Sequence, residues 1–130
     1  MNPINLENNA SYNFVAPSIS GDAGKKTERV FPTSEKVTPT ITSNKASVDV
    51  NRQETIISLG SVSAAQELTL KPEAANLNIG ARVIVSWTSD STARAVTVKV
   101  GTDTVATLAG TISTKVNKEL VWDGSGFLAL

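Results

Sequence analysis

The feature that most restricts what this chain can fold into is a break in its texture near Lys45. Four of the five prolines (Pro3, Pro17, Pro32 and Pro39) precede it, set among Asn, Ser, Thr and Gly. No stretch there keeps a hydrophobic period of 3.6 or 2.0, so residues 1–45 read as an extended arm with no core of their own. After Ala46 the text becomes short alternating runs punctuated by turn residues, the pattern of an all-β domain over residues 46–130.

The arm carries recurrent apolar residues: Ile4 and Leu6, then Tyr12 and Phe14, then Phe31. Three of the four Phe and Tyr side chains of the chain lie in it. Proline and the residue before it favour extended backbone, so such an arm reaches on the order of 100 Å. Spaced aromatics on an extended segment suit anchors that fill pockets on a partner. The alternative is a solvated leader whose apolar residues are scattered by chance.

In the domain, Ser47-Val48-Asp49-Val50 alternates, and Glu54 to Leu59 is β-branched and ends at Gly60. Leu68 and Leu70 share a face of a run that stops at Lys71-Pro72, after which residues 72–78 suit a single helical turn. In Arg82 to Thr88, Val83, Val85 and Trp87 share one face, while Ile84 interrupts the other, which predicts a central strand. Ala95 to Val100 alternates strictly, and the two runs read as a hairpin around Ser89-Asp90-Ser91-Thr92. Further runs follow at Thr104 to Leu108 and Lys118 to Trp122. Asp123-Gly124-Ser125-Gly126 then signals a last hairpin into Phe127-Leu128-Ala129-Leu130. The expected fold is a compact β-sandwich or small barrel of about seven or eight short antiparallel strands.

Composition decides the chemistry. There is no Cys and no His, so thiolate, imidazole and zinc-thiolate chemistry are excluded. Twelve basic and twelve acidic side chains give a formal charge of zero, without the basic footprint of a nucleic-acid binder. No apolar run approaches the roughly 20 residues of a membrane span, and no signal-peptide pattern opens the chain, so no membrane partner is expected. The carboxylates Asp90, Asp103 and Asp123 sit in turn sequences, where Asp bonds nearby backbone. No Gly-x-Ser-x-Gly elbow, phosphate loop, dinucleotide glycine pattern or calcium loop is present, and the chain reads as a non-enzyme without cofactor or metal. Trp87 and Trp122 lie on the inner faces of alternating strands, which favours burial. Were either in solvent, stacking on sugar rings would be possible, so a carbohydrate-binding or adhesin module is the alternative reading. The apolar Phe127, Leu128 and Leu130 are candidates for an oligomer interface.

The proline- and Asn/Ser/Thr-rich arm, the all-β domain and the closing phrase Leu120-Val121-Trp122-Asp123-Gly124-Ser125-Gly126-Phe127-Leu128-Ala129-Leu130 together resemble small decoration and head-fibre proteins of tailed bacteriophage virions. The phrase covers about the last dozen residues, and the layout covers the whole chain. The resemblance implies a capsid-surface protein assembled in the host cytoplasm, which suits a chain without Cys. It also implies an arm docked on the major capsid protein, a projecting β-domain, a homotrimer, and contact with another virion or fibre protein.

Overall fold

The computed structural model describes residues 33–130, and Thr33–Leu130 form one compact unit. Nine strands lie in it: β1 (Ser34–Val37), β2 (Lys45–Val50), β3 (Glu54–Val62), β4 (Gln66–Pro72), β5 (Arg82–Ser89), β6 (Val96–Val100), β7 (Asp103–Leu108), β8 (Lys115–Trp122) and β9 (Phe127–Ala129). A single 3-10 turn, Ala74–Asn76, occupies the segment expected to be helical. The strands form two sheets, ordered β7-β6-β4-β2 and β9-β8-β5-β3-β1. They face one another across a common core and do not close into a barrel.

The alternation read from the sequence sets the inner faces. Ala46, Val48 and Val50 of β2, Leu68 and Leu70 of β4, and Val96 and Val98 of β6 are buried from one side. From the other come Ile57 and Leu59 of β3, Val83, Val85 and Trp87 of β5, Leu120 and Trp122 of β8, and Phe127 of β9. Burying apolar side chains from both layers in one dry space drives the two sheets together. Strand β5 is the middle strand of its sheet, as the interruption at Ile84 implied.

The expected antiparallel order is corrected. Pairs β1/β3, β3/β5, β2/β4 and β4/β6 are parallel, while β6/β7, β8/β9 and β5/β8 are antiparallel. The reason is the route of the chain. From β1 to β6 every connection crosses from one sheet to the other, so each return to a sheet lays down a strand in the direction of its predecessor. The chain thus winds three times around the core before ending in local hairpins.

The hairpin expected between β5 and β6 is also corrected, because these strands belong to different sheets. A corner at Asp90–Arg94 carries the chain across. Arg94 grips Asp90 through Nε to Oδ1 at 2.8 Å and Nη2 to Oδ2 at 3.1 Å. The Arg94 N–H donates to Ser89 Oγ at 3.0 Å, and Trp87 Nε1–H donates to the Arg94 carbonyl at 2.9 Å.

Two further differences concern boundaries. The sheet begins before the composition break: residues 34–37, assigned to the arm on composition, form β1 beside β3. Polar Ser34 and Lys36 lie on its exposed side, so four residues are too few to announce an alternating pattern. Strand β3 runs past Gly60, where the sequence suggested an end. Its register slips between Ser58 and Gly60, and Gly60 takes φ 73°, so a bulge absorbs one residue and returns Val62 to the core.

Candidate interaction surfaces

The anchor residues Ile4, Leu6, Tyr12, Phe14 and Phe31 lie outside the described residues. The three residues expected at an oligomer interface do not share a surface. Phe127 is 3 % exposed and packs edge-on against Trp122, with ring centroids 5.1 Å apart and planes at 64°. It belongs to the core, because the period-2 alternation of β9 turns Phe127 inward and Leu128 outward. Leu128 is 55 % exposed and sits opposite Val121 on the outer face of the five-stranded sheet. Leu130 is 80 % exposed, and its N–H donates to the Glu119 carbonyl at 3.0 Å, continuing the β8/β9 ladder.

Ile79 lies at the turn that leads into β9. It is exposed, and its Cγ1 would lie 3.3 Å from a Cβ placed on Gly124, so it rests over the Asp123–Gly126 turn. Ile79, Leu128 and Leu130 are three of the four large apolar side chains exposed among the described residues. Sequence reading missed Ile79 because it follows a short polar loop and carries no periodic signal. Ile112, the fourth, follows Thr111 in the β7–β8 connection.

The carboxylates have local work. Asp123 Oδ1 accepts from the N–H groups of Ser125 and Gly126, each at 2.8 Å, and from Ser125 Oγ at 3.2 Å. These backbone donors hold its carboxyl below the usual carboxylate range, because they favour the ionised form. The Arg94 guanidinium, helped by the Thr92 N–H, does the same for Asp90. Arg82 donates to Glu54 Oε2 from Nε at 2.9 Å and lies 3.4 Å from Glu119 Oε2. It thereby ties β3, β5 and β8 together on the exposed face. Among the described residues no cluster of three or more Asp and Glu side chains is arranged to hold a metal ion. No described helix is long and apolar enough to cross a membrane.

Both tryptophans are buried, and the Trp87 indole N–H is satisfied by a backbone carbonyl. Neither ring offers a face on which a sugar could stack.

One concavity stands out. A groove of about 740 Å³ runs beside β2, with Glu35 and Val37 of β1, Pro39 and Thr40 of the following loop, and Glu67 of β4 among its lining. The loop enters β2 through a tight turn in which Thr42 and Lys45 exchange hydrogen bonds at 2.9 and 3.0 Å. Ser43 at φ 52° and Asn44 at φ 63° form its centre, the conformation of a type I′ turn.

No protein-family model, curated protein or solved structure matches this chain.

Proposed function

We propose that this chain is a structural protein of a tailed-phage virion, a capsid decoration or head-fibre protein. Its first residues dock on the major capsid protein, and its β-domain projects from the capsid surface as a homotrimer. The observation that carries this reading is how the described side chains are used. Asp90 and Asp123 are committed to a corner and a turn, and the tryptophans to the core, so these side chains serve the fold, and a role in assembly draws on the surfaces of the domain. The apolar residues before Thr33 then supply anchoring, and a segment that bridges several capsid subunits multiplies weak contacts into stable attachment. In the trimer the exposed apolar positions Leu128 and Leu130 are the contact residues. Phe127 supports them from behind.

The test is deletion of residues 1–32, which spares β1. The shortened chain is expected to fold and to lose its association with capsids in co-sedimentation. Retained association would reject arm-mediated docking. Light scattering on the full chain is expected to give three times the monomer mass, and Leu128→Asp with Leu130→Asp to reduce it to one.

A further inference from the structure

The winding is finished differently at its two ends. At the C-terminal end β7 and β9, the outer strands of the two sheets, lie against each other. At the N-terminal end the outer strands are β1 and β2, and the open groove runs beside β2.

The hydrogen bonds of β2 show what faces that groove. Glu67 N–H donates to the Asn44 carbonyl and Glu73 N–H to the Val50 carbonyl, both at 2.9 Å. In a parallel ladder this phase directs the main chain of Ala46, Val48 and Val50 toward β4 and that of Lys45, Ser47 and Asp49 away from it. Lys45 is satisfied by Thr42. The N–H and C=O of Ser47 and Asp49 point to the groove and make no main-chain bond among the described residues. An edge with unpaired donors and acceptors is a template for another strand.

The lining states what that strand should carry. Glu35, Asp49 and Glu67 stand against one cation, Lys45, and only Glu67 is in an ion pair among the described residues, with Lys99 at 3.6 Å. Val37 and Pro39 give the groove an apolar side. We infer that the β2 edge is a strand-addition site for an extended polypeptide segment of another protein, bearing alternating apolar and basic side chains. Main-chain bonds to Ser47 and Asp49 supply affinity, and the acidic lining selects the sequence. This goes beyond capsid docking by the arm and does not depend on it.

The experiment uses the full chain and a labelled heptapeptide of alternating lysine and valine, with a glutamate/valine peptide as control. Fluorescence anisotropy is expected to show the lysine peptide binding at least about ten-fold more tightly than the control, with the preference weakening at high salt. Ser47→Pro removes one outward N–H at an edge position that tolerates proline, and is expected to weaken binding by about ten-fold or more. If that variant unfolds, amide exchange on the unaltered chain decides the matter: Ser47 and Asp49 should gain protection when peptide is added. Absence of binding, equal binding of the two peptides, or binding without protection of these amides would overturn the proposal. So would a dimer by light scattering that Ser47→Pro dissociates, since the edge would then belong to a second copy.

Discussion

At Gly110 the chain passes so close to the β5–β6 corner that only a hydrogen fits. A Cβ there would lie 2.2 Å from the Arg94 carbonyl oxygen and 2.7 Å from Ser89 Oγ. Gly110→Ala must therefore displace backbone, and is expected to cost about 1–3 kcal/mol, lowering the melting midpoint by about 4–8 °C for each kcal/mol. Differential scanning calorimetry measures it. Thr55 presents the opposite case: it is fully buried, and its Oγ1 has no hydrogen-bond partner among the described residues. Thr55→Val keeps the shape and removes the stranded hydroxyl, so a gain of about 1 kcal/mol is expected in chemical denaturation. Asp90 and Asp123 contribute to the acid limb. Their carboxyls are held below the value of an unfolded carboxylate, so the folded state binds fewer protons than the unfolded state as pH falls. The stability they contribute is present above the unfolded carboxylate pKa, about 3.9, and is lost as pH falls through their folded values. Replacing both by Asn should lower the midpoint at neutral pH and flatten its decline in acid.

Among the elements, the closing hairpin was the most legible. Asp-Gly between apolar runs marked its turn, and Asp123 N–H meets the Gly126 carbonyl at 2.9 Å, as a four-residue connection requires. The two faces of β9 separate its roles. Phe127→Ala empties a place beside Trp122 and is expected to cost about 3–5 kcal/mol. Leu128→Asp should change monomer stability by less than about 0.5 kcal/mol, while disrupting self-association through the proposed Leu128 and Leu130 contact. Denaturation curves and light scattering on the two variants distinguish core from interface. The β5–β6 hairpin was misread for a physical reason. Alternation reports which side chains face the core, and a strand in either sheet satisfies it equally. What separates these strands is the Asp90–Arg94 corner, whose bonds run through the side chains of Ser89, Asp90 and Arg94 and leave no periodic trace.

Thr33–Leu130 form a winding finished by hairpins. Parallel neighbours here arise without helices, because successive strands change sheets. The same route leaves β1 and β2 at one pair of sheet edges, and β7 and β9, each joined to its neighbour by a hairpin, at the other. Thr33–Leu130 have their own core, so removing residues 1–32 is expected to leave the cooperative melt intact, with a midpoint within a few degrees of the full chain by circular dichroism. A non-cooperative melt would show that the earlier residues complete the fold. By itself the sequence determined the class, the inward residues of most strands, the burial of both tryptophans and the final turn, since each follows from local periodicity or local backbone preference. Only the tertiary structure decided strand order and direction, the inclusion of Ser34–Val37, the burial of Phe127, and the place of Ser47 and Asp49 on an outer strand among the described residues. Those depend on which sheet each connection reaches, and that is settled by packing between residues far apart in the chain.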